Sequence, residues 1–217
     1  MEDDLPEKYV KLVLLGDSSV GKTSLAIKFC HEEFGRQYYP TAGVDFFLKR
    51  TVLQGNRLVR AVVWDLGGES IDASMFQNYL YGTQALLLMF DITNLTSFNR
   101  LTEWMNAATS FVFGKPPLIA LIANKCDMEH QRAVTVEKQM KFVNEHGIQS
   151  THSVSARTGE NVTLSFQRIL AELLGLRLSR ADQEEQLSVV KAEILAANHN
   201  QAYAGMQTPS STVCSLQ

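Results

Sequence analysis

The chain has 217 residues, a length that suits one domain with its own core and a tail. Hydrophobic residues make up 45% of it and charged residues 20%, which is ordinary for a soluble globular protein. The net charge of −3 gives no reason to expect nucleic-acid binding, and no apolar run approaches the roughly 20 residues that cross a bilayer. The three cysteines, Cys30, Cys126 and Cys214, fit neither a disulfide framework nor a zinc site, so we expect a reducing, cytosolic setting.

Taken in chain order, the sequence alternates between strand and helix patterns. Met1–Lys8 is a polar, acidic leader, neither a secretory signal nor a transit peptide, which we expect to be disordered. Apolar and β-branched runs then predict strands, and amphipathic spacing predicts helices. The predicted strands are Tyr9–Leu15, Val44–Leu53, Leu58–Trp64, Ala85–Phe90, Leu118–Ala123 and Thr151–Val154, and the predicted helices are Leu25–Cys30, Ser97–Val112, Val134–His146 and Val162–Leu174.

A Gly-Asn pair at 55–56 joins the second and third strands in an antiparallel hairpin. The sequence therefore predicts an α/β fold, with a six-stranded, mostly parallel sheet, one antiparallel hairpin strand and helices on both faces. Ligands bind at the carboxyl ends of the strands in such sheets. Residues 16–23, 65–69, 124–127 and 155–157 each follow a strand, so we expect them to converge on that rim.

A phosphate-binding loop pattern, G-x-x-x-x-G-K-[ST], follows the first predicted strand and precedes a helix, which is the context it requires. Its residues are Gly16, Asp17, Ser18, Ser19, Val20, Gly21, Lys22 and Thr23. Glycines let successive backbone N–H groups point into one anion-sized nest, and the helix turns its positive end towards the phosphates. Lys22 adds a charge for the β- and γ-phosphates, and the Thr23 hydroxyl is a ligand for Mg²⁺. The pattern leaves open which nucleotide binds.

A carboxylate and a polar loop at two other strand ends extend this prediction. Asp65 lies beside flexible glycines, where it suits either a carboxylate that reaches Mg²⁺ through water or a turn-forming aspartate. Asn124-Lys125-x-Asp127 indicates guanine, because an ionised aspartate accepts from both N1–H and N2–H₂ and adenine offers no such pair. Asn124 can bridge the base and the phosphate loop, Lys125 can lie along the ring face, and the Ala156 N–H can donate to guanine O6.

Together these segments resemble the Ras superfamily of small GTPases, and within it the Rab branch, over about residues 9–176. The signatures occur in family order as GDSSVGKT at 16–23, Thr41 in TAGVDF, WDLGG at 64–68, NKCD at 124–127 and SAR at 155–157. FGRQY, DFFLKR, WDLGG, the LGL after the last helix and the CaaX end resemble one divergent subgroup of that branch. The resemblance implies a P-loop NTPase fold and a GTP-hydrolysing switch in membrane or vesicle trafficking, with Mg²⁺ and GTP or GDP as ligands.

The resemblance also implies a role for each matching residue. Thr23 and Thr41 would ligate Mg²⁺ directly and Asp65 through water, Gly68 would sense the γ-phosphate through its N–H, and Phe34 would pack against the base edge. The implied nucleotide-binding residues are Gly16, Asp17, Ser18, Ser19, Val20, Gly21, Lys22, Thr23, Ser24, Phe34, Tyr38, Thr41, Gly68, Asn124, Lys125, Asp127, Ser155, Ala156 and Arg157. The implied catalytic residues are Lys22, Thr41, Gly68 and Glu69.

Residues 35–46 and 66–82 would be the two switches, ordered by the γ-phosphate and released on hydrolysis. An exchange factor, an activating protein and effectors would bind there, and the chain would be a monomer. Phe46, Trp64 and Tyr79 match the hydrophobic trio that Rab effectors read, although core packing explains Trp64 equally well.

Glu69 occupies the position of the family's catalytic glutamine. A glutamine orients the attacking water by accepting and donating hydrogen bonds, whereas an ionised glutamate only accepts and adds negative charge beside the γ-phosphate. Our hypothesis is slow hydrolysis and a longer GTP-bound lifetime. Arg157 replaces the usual lysine at a mainly backbone contact, where we expect little effect, and Leu66-Gly67 replaces the usual Thr-Ala, so switch II would rest differently.

The composition changes in the tail, 177–213. Ala181–Leu195 has helical spacing that fits either a partner-docking helix or a solvated one, of which we favour the second, and Ala196–Val213 is typical of a flexible linker. Residues 214–217, CSLQ, form a CaaX box that favours farnesylation of Cys214. One lipid without a basic cluster gives marginal, reversible binding, so we expect exchange between the cytosol and the cytosolic face of a membrane, helped by a prenyl-binding carrier.

Two other functions compete with a hydrolysing switch. Glu69 allows a GTP-binding interaction module with little or no hydrolysis. An ATP-using P-loop enzyme, such as a small-molecule kinase, would also have the phosphate loop, but Asp127 argues against it. A purely structural α/β domain is the least favoured reading, because several loops on one rim would then match by chance.

Overall fold

The computed structural model describes residues 7–35, 39–72, 74–110 and 115–176. The strands are β1 (Lys8–Leu15), β2 (Val44–Leu53), β3 (Arg57–Leu66), β4 (Ala85–Asp91), β5 (Leu118–Asn124) and β6 (Ser150–Val154). The helices are α1 (Lys22–His31), α2 (Phe76–Leu80), α3 (Leu95–Asn99), α4 (Leu101–Thr109), α5 (Val136–His146) and α6 (Val162–Leu173). Short 3₁₀ helices cover Ser70–Asp72 and Cys126–Gln131.

The six strands form one sheet in the order β2-β3-β1-β4-β5-β6. β2 and β3 pair antiparallel, and the other neighbouring strands pair parallel. The predicted α/β fold with one antiparallel hairpin is therefore confirmed. Since β1, β3, β5 and β6 run in the same direction, the loops that follow them leave the sheet at one edge.

Apolar layers cover both faces of the sheet. Every residue of β4, ALLLMFD, is buried, which suits a strand with helices on both sides. On one face α1 meets α6 through Phe29 and Phe166, whose rings stack with centroids 3.9 Å apart. On the other face Trp104 of α4 is fully buried, with its ring centroid 6.2 Å from that of Phe76. These layers hold the strand ends, and hence the loops of the rim, in fixed relative positions.

The helix predicted at Ser97–Val112 is two helices in the structure. α3 begins early because the Asn94 side chain caps it, accepting hydrogen bonds from the backbone N–H groups of Thr96 and Ser97. α3 then ends at Asn99 and α4 begins at Leu101, so Arg100 lies at the junction. The apolar period continues across the junction, and for that reason the sequence pattern predicts one helix.

The end of the predicted leader belongs to the domain. Lys8 begins β1, and Glu7 pairs with two arginines of the hairpin: its Oε1 lies 3.1 Å from Arg50 Nε, and its Oε2 contacts Arg60. Strands were predicted from apolar and β-branched runs, and Glu7 and Lys8 are polar residues outside such a run. The predicted start of the first strand is therefore later than the observed one. β1 thus begins one residue earlier than the predicted strand, and Glu7 contacts the hairpin next to it.

Several predicted features lie outside the described residues. They are residues 1–6, Tyr38, Val112 and the tail from residue 177, with the helix Ala181–Leu195 and Cys214. Among the helices that the structure describes, none has the length and apolarity that crossing a membrane requires.

Candidate functional site

A cavity of about 540 Å³ opens at the carboxyl ends of the strands. Most of its lining comes from the residues predicted to bind nucleotide. Its walls are formed by Ser18, Ser19, Gly21, Lys22, Thr23, Ser24, Phe34, Pro40, Thr41, Gly68, Glu69, Asn124, Lys125, Asp127, Met128, Ala156 and Arg157. Pro40 and Met128 also line the cavity but were not predicted to do so. The only hint in the sequence is that each is next to a predicted residue, Thr41 and Asp127 respectively. The predicted convergence of four loops therefore occurs.

Lys22 is the buried cation at the floor of this cavity. It is 6% exposed, and its Nζ donates to the backbone carbonyls of Gly16 and Asp17 at 2.7 and 2.8 Å. Burial lowers the pKa of Lys22 to about 8, against the nearby negative charges of Asp65 and Asp17. The hydrogen-bond partners of the Lys22 ammonium are neutral carbonyls, so no carboxylate neutralises its positive charge directly. A bound anion would supply that negative charge.

Gly21 shows why the loop needs its second glycine. Its φ is +96°, a left-handed conformation, and a Cβ there would lie 2.4 Å from Asn124 Nδ2. Asn124 uses this space to donate from Nδ2 to the carbonyl of Val20 at 2.8 Å. The loop after β5 is thereby bonded to the phosphate loop, which is one of the two contacts predicted for Asn124.

Three oxygen groups meet beside Lys22. The Thr23 hydroxyl donates to Asp65 Oδ2 at 2.6 Å, the Thr41 hydroxyl donates to the same oxygen at 3.2 Å, and the two hydroxyl oxygens are 3.0 Å apart. Asp65 is fully buried, and within the described chain its Oδ1 has no hydrogen-bond partner. Burial raises the pKa of Asp65, although Thr23, Lys22 and Thr41 oppose the shift.

This donor set fits Mg²⁺. Hydroxyls and a carboxylate are the hard oxygen ligands that the ion prefers, and an unpartnered, buried carboxylate oxygen needs a cation or its water. No cluster of three or more His, Cys, Asp or Glu side chains suited to a metal occurs in the described part of the chain. The metal prediction therefore rests on Thr23, Thr41 and Asp65.

The far end of the cavity holds the residues predicted for the base. The Ser155 hydroxyl donates to Asp127 Oδ1 at 2.7 Å and fixes the carboxylate that would face the base. The Ala156 N–H, predicted to donate to guanine O6, donates here to Asn124 Oδ1 at 3.1 Å. Lys125 Nζ lies 2.7 Å from Asp91 Oδ2, a pairing that the sequence did not reveal.

Switch residues close the phosphate end. Gly67 N–H donates to the carbonyl of Gly43 at 2.9 Å, which joins the second switch to the first. Gly68 packs so tightly on the phosphate loop that a Cβ there would lie 2.1 Å from the backbone nitrogen of Ser18. Glu69, in the position of the family's glutamine, is exposed and lines the cavity. The loop and both switches therefore touch at the point where a γ-phosphate is predicted.

Comparison with known proteins decides the family. A model of the Ras family matches residues 11–175. The chain belongs to the Ras family. Over its whole length it is 34% identical to the Ras-related protein Rab-28 of Caenorhabditis elegans, covering 89% of that protein. It is also 30% identical to the Ras-related protein Rab-3 of the same organism, over 91% of the chain and 88% of that relative. These matches support the predicted Rab branch.

The predicted effector trio of this Ras-family chain lies partly together. Phe46 and Trp64 are cross-strand partners whose rings meet edge to face with centroids 4.6 Å apart, and Phe46 is 57% exposed. Lys11 Nζ lies 3.4 Å from the centroid of the Trp64 ring, and Tyr79 packs against the apolar core under α2. Trp64 is half-buried and packs against the apolar core, so core packing accounts for part of its position.

Proposed function

We propose that the chain is a Rab-type molecular switch that binds GTP and GDP with Mg²⁺ in the rim cavity, hydrolyses GTP slowly and acts in membrane or vesicle trafficking. One observation carries the proposal: a cradled lysine, an oxygen cluster suited to Mg²⁺ and a carboxylate suited to guanine open into one cavity. The Ras-family match and the Rab relatives support the same activity.

Phosphates would bind at the phosphate loop. Two backbone carbonyls hold Lys22 Nζ, which has three N–H donors and so keeps one for a β- or γ-phosphate oxygen. α1 begins at Lys22, so the backbone N–H groups of its first turn and its positive end point at the same place. The Lys22 ammonium and the N–H groups of the first helical turn lie one after another along the loop. This arrangement favours a polyphosphate over a single small anion.

Thr23, Thr41 and Asp65 would hold Mg²⁺, which when bound neutralises charge on the β- and γ-phosphates. Thr23 belongs to α1, Thr41 to the first switch and Asp65 to the end of β3. A metal held by all three ties the first switch to the phosphates. Thr41 is the only one of them on a switch segment, so its release would report loss of the γ-phosphate.

Asp127 would select the base. Its carboxylate accepts from Ser155, and an aspartate oriented in this way accepts the paired N1–H and N2–H₂ donors of guanine. Adenine presents an acceptor at N1, which would leave the Asp127 carboxylate facing another negative partial charge. The cavity therefore favours GTP and GDP over adenine nucleotides.

Glu69 would govern the rate of hydrolysis. It lies at the cavity mouth next to Gly68, which contacts the phosphate loop. An ionised carboxylate there accepts a hydrogen bond from water and cannot donate one to the γ-phosphate, and its charge repels that group. We infer slow hydrolysis with Lys22, Thr41, Gly68 and Glu69 as the participating residues.

A second candidate function is a GTP-binding interaction module that scarcely hydrolyses. Glu69 favours it, because the residue removes the donor that a glutamine would contribute. In this case the chain would signal by its bound state, with exchange of nucleotide as the main reset. Exchange factors, activating proteins and effectors would bind residues 35–46 and 66–82 in either case.

The proposal is tested by the nucleotide that the protein carries. We expect GDP or GTP, and no adenine nucleotide, to be released from the purified chain on denaturation. Asp127→Asn should weaken GDP binding by at least about 10²-fold, because the amide cannot accept both guanine donors. Xanthine nucleotide, whose O2 accepts from the amide, should gain affinity. Exposed Glu137→Gln on α5 is the control, and equal GDP affinities for Asp127→Asn and wild type would refute the assignment.

A further inference from the structure

The carboxylate of Asp17 lies behind the phosphate loop, away from the cavity. Its Oδ1 accepts a hydrogen bond from Trp104 Nε1 at 2.9 Å and lies 3.1 Å from Arg100 Nη1. The side chain of Asp17 is 13% exposed and that of Arg100 40% exposed, whereas Trp104 is fully buried. A polar position of the phosphate loop is thus held from outside the nucleotide site by two donors.

The two donors come from one short stretch of chain. Arg100 sits at the junction of α3 and α4, and Trp104 follows one helical turn later, with its backbone N–H bonded to the Arg100 carbonyl at 3.2 Å. Residues four apart in a helix lie on the same face, so both side chains reach one carboxylate oxygen. Glu103 Oε2 lies 3.1 Å from Arg100 Nε and steadies the guanidinium on its other side.

Asp17 also stands close to the cation of the loop. Its backbone carbonyl accepts from Lys22 Nζ at 2.8 Å, and its negative charge acts on the Lys22 ammonium. An uncompensated carboxylate at this place would have two effects. It would attract the ammonium away from the phosphates, and it would repel the phosphates themselves, both through a partly buried, weakly screened path.

We propose that Arg100 is a positioning residue of the phosphate loop: with the Trp104 indole, it neutralises the Asp17 carboxylate and holds it turned away, so that Lys22 remains available to the nucleotide. Arg100 is not among the residues that line the cavity, and its effect on the loop would pass through Asp17. Nucleotide retention therefore depends on a partly exposed ion pair on the far side of the loop. The inference rests on the proposed binding of guanine nucleotide.

A charge-rescue experiment tests this role. Release of a fluorescent GDP analogue is followed with Mg²⁺ present for wild type, Arg100→Gln, Asp17→Asn and the double variant. We expect Arg100→Gln to release the analogue about fivefold faster, the scale of a partly exposed ion pair. Asp17 contacts Lys22 through its backbone carbonyl, which Asp17→Asn keeps. The variant also keeps an oxygen acceptor for Trp104 and removes only the side-chain charge, so the double variant should return to within about twofold of wild type.

Lys141→Gln on α5 is the matched control, because it removes one positive charge from an exposed side chain that is not part of the Arg100–Asp17 pair. A general loss of packing would not be restored by Asp17→Asn. A double variant that releases as fast as Arg100→Gln, or an Arg100→Gln protein that releases at the wild-type rate, would overturn the inference and leave the proposed function intact. A wild-type chain that binds no GDP analogue would overturn both.

Discussion

At the scale of single residues, buried charge organises the site. Lys22 and Asp65 are both buried, and each has partners that only partly compensate its charge: carbonyls for the lysine, hydroxyls for the aspartate. Such groups are costly in a domain that binds nothing, because a buried charge needs an opposite charge or full hydrogen bonding. Their position at one end of a cavity is the physical reason to place phosphates and a cation there.

Lys22 leads to a prediction about pH. Burial lowers its pKa to about 8, and a bound polyphosphate would stabilise the charged form and raise the pKa again. Below about pH 8 the lysine is already protonated and nucleotide affinity is constant. Above it, binding must take up a proton, so affinity should fall towards tenfold per pH unit.

The measurement is the affinity for a GDP analogue between pH 7 and 9, below the range in which guanine itself dominates the profile. Lys22→Arg is the control, since a guanidinium stays charged throughout and should give a flatter profile. Equal slopes for wild type and Lys22→Arg would show that Lys22 does not contact the phosphates.

At the scale of elements, contacts between the two switches and the phosphate loop hold the γ-phosphate end of the cavity together. The first switch is joined to the second by the Gly67–Gly43 hydrogen bond, and the second touches the phosphate loop at Gly68. The contacts join the start of β2, the end of β3 and the loop after β1. A change at any of them should therefore alter the γ-phosphate end of the cavity more than the base end.

Gly68→Ala tests this coupling. The new Cβ would lie 2.1 Å from the Ser18 nitrogen, so the second switch must move away from the loop. GDP leaves the γ-phosphate position empty, and we therefore expect its affinity to change by less than about twofold while GTP affinity falls about tenfold or more. Gly35→Ala is the control, because nothing lies within 4 Å of a Cβ there. Equal losses for GDP and GTP would contradict a γ-phosphate role for Gly68.

Sequence patterns predicted most elements because each has a clear period or an uninterrupted apolar run. β2 begins and ends where the alternation and hairpin signals place it. The pattern failed at Arg100, where local hydrogen bonds around Asn94 start one helix and a second follows on the same apolar face. It also missed Lys8 and Glu7, which join the sheet through charge and carry no apolar signal.

For the site, motifs predicted which residues meet and could not predict how they bond. The cavity gathers the four loops because parallel strands end on one side, a consequence of topology. The sequence did not predict two contacts, Asp91 with Lys125 and Trp104 with Asp17, because each joins residues that are far apart in the chain. Those contacts depend on side-chain packing across elements, which local pattern does not encode.

At the scale of the whole molecule, the described domain would bind the nucleotide, and the tail would direct the protein to a membrane. Cys214, the predicted site of a farnesyl group, lies outside the described residues. One chain gives marginal, reversible membrane binding when no basic cluster assists it. We therefore predict that the protein cycles between cytosol and membrane with a carrier that covers the lipid.

Liposome flotation measures this. Prenylated protein should bind vesicles and be lost through repeated washing, while Cys214→Ser should not bind. A prenyl-binding carrier added to the wash should speed the loss of the prenylated form. Protein that stays on the vesicles through washing without any partner would contradict reversible anchoring.

Single-turnover hydrolysis of bound GTP tests most directly whether the protein is a guanine-nucleotide switch that Glu69 slows. Wild type is compared with Glu69→Gln, and with Glu137→Gln on the exposed face of α5 as the control. We predict slow but measurable hydrolysis for wild type and the control, and a rate about tenfold higher for Glu69→Gln, because the amide both accepts from the water and donates to the γ-phosphate. Equal rates for wild type and Glu69→Gln would contradict the role of Glu69, and no hydrolysis by either would leave a GTP-binding module in place of a GTPase.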